Sequence, residues 1–463
     1  MKFHFSVINL WCTKNLVDLE FTVWQILSKK GTGTKKKVPV PFFDIKFFED
    51  PLSKKVEYLI INTCWFLSSS RDEAEETIKY YDDLWKKIIL MWCYIPVRDD
   101  DFLKGLKNLY KIIPVEKSES TVDEIFWDTK IIKSKIQDFK EWKLDNYLKN
   151  LERLNSDKKA FVWSWNMPRF PFNSPYSYEF VKIAEWCDNR CSFCIIPKIR
   201  WNQTSRPIDD IIDEIKNLVN LWVKEIEIIS QDTTRYWSDL YWDVKLFELL
   251  EEIEKIDLDF RFRLFYLYPD VLTLKHLEKL KNFKKFIPYF DLPVQHINPK
   301  ILKRMGRFYD DKHIFALFDF IKSEFKDAFL HTNFIVWFPW EWKKEFQDLL
   351  DFAKKYEFDS VSMFGYHDEK LAWSSKLDQK VDDKIIAKRV KKMSLILNKI
   401  YDKKEQNRIW KEFIGYVYDF DDKNVHIRWE YKAPELDELD IVSLENIIEW
   451  KVEIGEKVRY TLK

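Results

Sequence analysis

Glycine is nearly missing from this chain. It has 7 among 463 residues, where an ordinary share of ~7% gives about 32. Tryptophan is abundant instead, at 21, and the two together come close to glycine's usual share alone. Glycine supplies the backbone conformations that tight turns and close approaches to a cofactor need, so the usual turn residue is lacking. Other absences narrow the function. No apolar run approaches the ~20 residues that span a bilayer. The first ten residues, M-K-F-H-F-S-V-I-N-L, lack the long apolar core of an export signal. Net charge is absent, with 77 basic and 77 acidic side chains, so nothing global draws the chain to nucleic acid. A soluble cytoplasmic protein with no membrane partner is expected. Its length suits two or three domains. Cysteine is sparse, at six, and without an export signal its expected use is metal binding rather than disulfides.

Three of those cysteines stand together. Val181 to Trp201 reads V-K-I-A-E-W-C-D-N-R-C-S-F-C-I-I-P-K-I-R-W, which spaces Cys187, Cys191 and Cys194 as C-x3-C-x2-C. Cysteines this close do not easily reach the geometry of an unstrained disulfide. A structural zinc site wants four ligands, and no fourth Cys or His lies nearby. A cubane iron–sulfur cluster also takes four ligands, usually thiolates. Three thiolates would leave one iron open to a cofactor or substrate, and this is the expected use.

The remaining cysteines follow apolar runs in the first segment, residues 1–128. Phe3–Leu10, Val56–Thr63 and Lys87–Met91 read as strands of a buried parallel sheet. Lys14–Ser28 reads as a helix, as does Ser68–Trp85, with Ala74, Ile78, Tyr81 and Leu84 on its apolar face. Cys12 follows the first strand, Cys64 the second and Cys93 the third. Ligands of open α/β sheets bind at the carboxyl ends of the strands, so the three thiols are expected to form a second metal site. The bland alternative is three buried structural cysteines. Gly31–Pro41 reads as an exposed basic loop. Residues 129–177, with Pro168, Pro171 and Pro175, read as a linker.

From 178 to 407 strand and helix patterns alternate. Strands are expected at Phe180–Ile183, Glu225–Ser230, Phe260–Leu267, Phe286–Leu292, Phe329–Trp337 and Ser360–Tyr366. Helices are expected at Pro207–Trp222, Lys245–Lys255 and Glu341–Tyr356. Six such units suggest a parallel, partly closed barrel. The three-cysteine loop follows its first strand, at the mouth where barrel active sites sit. Polar groups follow later strands: Ser230–Thr234, Tyr268–Asp270, Pro293–His296 and Phe338–Glu341. Each alone is a weak candidate, since such residues often cap helices; no catalytic side chain is singled out. Residues 408–463 change to short β-like runs at Gly415–Phe420, Asn424–Trp429, Asp440–Leu444 and Lys457–Leu462. They suit a small antiparallel barrel. With 9 basic and 13 acidic residues this tail carries a net charge of −4. The predicted class is α/β: an N-terminal open parallel sheet, a central partial (β/α)6 barrel and a C-terminal antiparallel β-barrel.

This combination resembles the methylthiotransferases, a family of radical S-adenosylmethionine (SAM) enzymes, over nearly the whole chain. It rests on C-T-K-N-L-V-D at Cys12–Asp18, I-N-T-C at Ile61–Cys64 and K-I-A-E-W-C-D-N-R-C-S-F-C-I-I-P at Lys182–Pro197. S-Q-D-T-T at Ser230–Thr234, Y-P-D at Tyr268–Asp270 and A-P-E-L-D at Ala433–Asp437 add to it. The resemblance implies two [4Fe-4S] clusters, a radical SAM barrel and a C-terminal TRAM domain. The cluster on Cys187, Cys191 and Cys194 would bind SAM and cleave it to a 5′-deoxyadenosyl radical. The cluster on Cys12, Cys64 and Cys93 would carry the sulfur that is methylated and inserted. An unactivated C–H bond offers no useful proton to a general base, so the hard step belongs to the cofactor. An electron donor and a sulfur donor are implied partners. Lys182–Cys187 and Ala433–Asp437 look like the branch that modifies the β-carbon of an aspartate in small-subunit ribosomal protein twelve. The alternative branch modifies a tRNA adenosine, and the acidic tail speaks against a phosphate-rich target. A reading from another class is a non-catalytic iron–sulfur or zinc protein that docks on ribosomes.

The chain departs from the family at its glycines. Trp11, Trp65, Trp92, Trp186, Trp201, Trp237, Trp340 and Trp429 stand where the family has Gly. A side chain in the left-handed region costs roughly 1–2 kcal/mol, and several such costs would consume a stability of ~5–15 kcal/mol. Many of the 21 tryptophans are therefore expected to be glycine in the organism. Trp85 and Trp142, on helical segments, are the expected exceptions.

Overall fold

A computed structural model describes residues 2–10, 13–28, 44–48, 50–63, 68–92, 100–113, 125, 162–164, 167–169, 171, 173, 176–199, 203–241, 244–380, 383–449 and 451–463. The chain forms two compact units, residues 1–172 and 173–463.

The first unit is built on a parallel sheet. Its strands are β1 (Lys2–Asn9), β2 (Asp44–Phe47), β3 (Tyr58–Thr63), β4 (Lys87–Trp92) and β5 (Leu109–Ile113), in the order β2-β1-β3-β4-β5. Every pairing is parallel. The Y-L-I-I-N-T run of β3 is buried at each residue, as a central strand covered on both faces should be. Phe3, Phe5, Leu19, Val23, Ile60 and Ile89 share one core with their neighbours. Ala74, Ile78 and Tyr81 are buried, but Leu84 is 44% exposed. The helix ends at Asp83, so Leu84 lies past the turn that would have aimed it inward. Two edge strands, β2 and β5, are additions to the three expected ones. The expected basic loop at 31–41 lies outside the described residues. So does most of the expected linker, but its described part holds a hairpin of β6 (Val162–Ser164) and β7 (Met167–Arg169). There the buried Arg169 guanidinium pairs with the buried Glu20 carboxylate.

The second unit contains the six expected strands. They are β8 (Tyr178–Lys182), β11 (Glu225–Ile229), β12 (Arg261–Leu264), β13 (Phe286–Asp291), β14 (Phe329–Val336) and β15 (Ser360–Gly365). They pair in parallel in chain order from β8 to β15. A two-stranded ribbon, β9 (Ala184–Glu185) with β10 (Thr204–Ser205), stands beside β8. Amphipathic helices connect the strands. Ile208–Asn220, for example, buries Ile211, Ile215 and Leu218, the i, i+4, i+7 stripe of a core-facing helix.

The tail forms a five-stranded antiparallel sheet: β16 (Glu412–Phe420), β17 (Asn424–Trp429), β18 (Asp440–Ser443), β19 (Ile447–Glu449) and β20 (Lys457–Thr461), ordered β18-β17-β16-β20-β19. It binds the starts of the barrel strands. Arg428 pairs with Glu225 at 2.7 Å, the first residue of β11. Arg261, the first of β12, pairs with Glu430 at 3.0 Å. Tyr178, the first of β8, donates its hydroxyl to Glu435 at 3.1 Å. Arg263 joins Glu227 at 2.5 Å with both side chains fully buried. Such charges survive burial only when paired. The A-P-E-L-D motif thus belongs to this seam, with Ala433 N–H bonded to the Asp437 carboxylate at 2.8 Å. The opposite, carboxyl edge of the six strands is left for chemistry.

Candidate active site

Cys187, Cys191 and Cys194 sit on the loop that leaves β8 and β9, at the carboxyl edge. No disulfide joins them, and each keeps some exposure. Short-range bonds shape the loop. Asn189 N–H points at Cys187 Sγ, 3.4 Å away, and Cys194 N–H donates to the Cys191 carbonyl at 3.1 Å. Longer-range bonds fix it to the barrel. Ser192 N–H donates to the Met305 carbonyl at 2.9 Å, and Ser192 Oγ donates to the Arg304 carbonyl at 2.7 Å. Ser374 N–H donates to the Ser192 carbonyl at 2.7 Å. Phe193 is packed on the core of Ile301, Met305, Ile335, Phe338 and Tyr366. Gly306, at φ +72°, comes so close that a Cβ there would meet the Arg190 carbonyl oxygen at 2.5 Å.

The thiols lie within electrostatic reach of each other. Burial pushes Cys187 up to about 12, helped by the Asp232 carboxylate. Cys194 is also raised, by burial and then by Cys191. Bare, the Cys187 and Cys194 thiols stay protonated, and only a bound cation would deprotonate them outright. Among the described residues, no three Cys, His, Asp or Glu side chains close on one ion. In a cubane each thiolate holds its own iron, so this donor set suits a cluster. A buried cation stands by: Arg307 acts favourably on Cys194 and lies 4.3 Å over the Tyr268 ring.

The polar strand-end groups divide. Asp232 links the loop to the barrel, accepting from Asn189 Nδ2 at 2.5 Å and capping a short turn through Thr234 N–H at 3.0 Å. Arg235 bonds Asp270 of the Y-P-D run at 2.7 Å. His296 is fully buried, and its Nδ1 accepts from Ile297 and Asn298 N–H at 2.9 Å each. It therefore organises the entry to the following helix. Glu341 accepts from Trp337 N–H at 2.6 Å and from Arg389 at 2.6 Å, a structural pairing. Two features were not singled out in the sequence. One is Arg307, whose signal was a rare glycine beside it in M-G-R-F-Y. The other is the buried His331–Asp291 pair at 2.9 Å, which joins residues on two strands and leaves no local pattern.

In the first unit, Asn9, Thr63 and Trp92 end three adjacent parallel strands, and Asn62 pairs with Asn9 and Thr63 with Trp92 in register. Side chains tie that edge together. Asn62 Nδ2 donates to Asn9 Oδ1 at 3.0 Å and to the Asn15 carbonyl at 2.6 Å. Asn15 Nδ2 donates to the Thr63 carbonyl at 3.1 Å, and Thr63 Oγ1 to the Met91 carbonyl at 2.9 Å. Cys12, Cys64 and Cys93 lie outside the described residues.

Among the described residues, no helix is long and apolar enough to cross a membrane. The profile of the radical SAM superfamily matches residues 181–353. The ribosomal protein uS12 methylthiotransferase RimO of Dictyoglomus thermophilum is 32% identical over 463 aligned positions, covering 99% of this chain and 96% of that protein. The protein of the same name from Carboxydothermus hydrogenoformans is 33% identical, covering 94% and 91%. Among solved structures, the radical SAM methyltransferase TsrM of Kitasatospora setae, with cobalamin and a [4Fe-4S] cluster bound, superposes at a TM-score of 0.51. It is 12% identical and covers 78% of this chain and 72% of that one, which speaks to the fold alone.

Proposed function

The chain belongs to the ribosomal protein uS12 methylthiotransferase family of radical SAM enzymes, and from that premise we propose that it adds a methylthio group to the β-carbon of an aspartate in that ribosomal protein. The observation that carries the reading is the three-cysteine loop at the carboxyl edge of a six-stranded parallel barrel sheet, pinned through Ser192 and Gly306. Cys187, Cys191 and Cys194 hold one [4Fe-4S] cluster and leave a site for SAM. Cys12, Cys64 and Cys93 hold a second cluster. Three adjacent parallel strands end shortly before them in the chain. When bound, the first cluster supplies the electron that cleaves SAM, and the second supplies sulfur.

The protein's own contribution is placement. Asp232 and Asn189 orient the loop from one side, and the carbonyls of Arg304 and Met305 hold it from the other. Phe193 shields the inner face of the loop with an apolar cluster. Arg307 provides fixed positive charge beside the thiols. Ordering these groups before the reaction removes reorganisation from the chemical step. The domains of this reading are residues 1–128, 178–407 and 408–463, with residues 129–177 as the linker between the first two. An electron donor and a sulfur donor complete the set of partners, and a cytoplasmic site of action follows from a ribosomal target. The test is anaerobic reconstitution. About eight irons per chain and reductant-dependent loss of SAM are expected, since each cubane holds four irons. Four or fewer irons in a folded sample, or bound zinc, would contradict it.

A further inference from the structure

Tryptophan makes up 21 of 463 residues, yet among the described residues seven of the thirteen non-glycine positions with positive φ are tryptophan. They are Trp85, Trp186, Trp222, Trp237, Trp337, Trp340 and Trp410, at φ between 59° and 79°. A bulky residue there is a rare outlier, and glycine is the default.

The local hydrogen bonds show what these positions are. After the helix Ile208–Asn220, Trp222 N–H donates to the Val219 carbonyl at 3.0 Å and Val223 N–H to the Leu218 carbonyl at 3.3 Å. After the helix Ser68–Asp83, Trp85 N–H donates to the Asp82 carbonyl at 3.0 Å and Lys86 N–H to the Tyr81 carbonyl at 3.2 Å. Both are complete Schellman motifs, and in both tryptophan fills the left-handed position that glycine usually takes. Trp85 is therefore no exception to the glycine pattern; the helix stops just before it. In Phe338–Pro339–Trp340–Glu341 the Glu341 N–H donates to the Phe338 carbonyl at 2.9 Å. With proline second and φ +74° third, this is the pattern of a type II turn, whose third position calls for glycine.

Three of the rings stand largely in solvent, while Trp340 donates its indole N–H to Asp378 at 2.8 Å and Trp337 lies under the Arg389 guanidinium at 3.4 Å. Trp222, Trp85 and Trp410 are 78%, 75% and 72% exposed. Trp337 is buried, and among the described residues its Nε1 has no acceptor. Trp186 places its indole directly before Cys187. We infer that these seven positions are glycine in the protein as its own cells make it. The gene would carry UGA there, a codon that one genetic code reads as tryptophan and another as glycine. At Trp24, within a helix, and Trp429, within a strand, the backbone is one that any residue adopts.

The test is the mass of peptides spanning positions 222 and 340 from protein purified from its native cells. Glycine at both is expected, and tryptophan at either overturns the inference. A recombinant pair tests the strain separately. W222G should melt a few degrees higher than the tryptophan-bearing chain, and W222A should not, because alanine keeps a Cβ. An equal gain in both, or a gain in neither, would show that φ does not demand glycine.

Discussion

Gly306 and Arg190 touch backbone to backbone: a side-chain carbon on Gly306 would sit 2.5 Å from the Arg190 carbonyl oxygen. Arg190 lies between Cys187 and Cys191, so the contact sets the height of the cysteine loop above the barrel. G306A should push that loop away while also straining a left-handed residue, at a cost of about 1–3 kcal/mol. The variant should keep its circular dichroism and lose about half of its iron after reconstitution, the share held by the loop. Full iron with unchanged stability would show that the contact does not position the loop.

This contact also marks the limit of what the sequence discloses. The C-x3-C-x2-C spacing is local, so Cys187, Cys191 and Cys194 were legible at once. The strands were legible because V-E-Y-L-I-I-N-T and its counterparts are long apolar runs. The edge strands D-I-K-F and L-Y-K-I-I are short and partly polar, and they declare themselves only beside β1 and β4. Gly306–Arg190 and His331–Asp291 join residues far apart in the chain. No spacing rule reaches them. A-P-E-L-D was legible as a motif but not as a seam, because its partners are at the starts of other strands.

The two cysteine sets should fail differently. C187A, C191A or C194A should abolish reductive SAM cleavage. C12A, C64A or C93A should leave cleavage within about twofold and abolish sulfur insertion, since residues that act as one unit fall together. Product 5′-deoxyadenosine, measured by chromatography beside the methylthiolated product, separates the outcomes. Equal loss of cleavage in both folded sets would refute the division.

His331 should make stability pH-dependent. Burial pushes its pKa down, but the Asp291 carboxylate, the hydrogen bond to it and the more distant Asp437 push harder, and the net shift is upward. Its other nitrogen faces Ser362 Oγ at 3.1 Å. A histidine raised in the folded state contributes stability that is fully present below its unfolded value of about 6.5. That contribution is lost as pH rises through the higher folded value. H331A leaves Asp291 buried without its partner and should cost about 3–5 kcal/mol at pH 6, with a smaller cost at high pH. Urea melts of both proteins across this range check it. A cost that grows with pH would reverse the assignment.

The target is decided by offering both at once. Enzyme purified from its own cells is incubated anaerobically with SAM, sulfide and a strong reductant, together with ribosomal protein uS12 and unmodified tRNA. Both products are then mapped by mass spectrometry. The tail, with 13 acidic against 9 basic residues, should disfavour a polyphosphate partner. One methylthio group on an aspartate of uS12 and none on tRNA is the expected result; a methylthiolated tRNA adenosine with unmodified uS12 would contradict the assignment of the target.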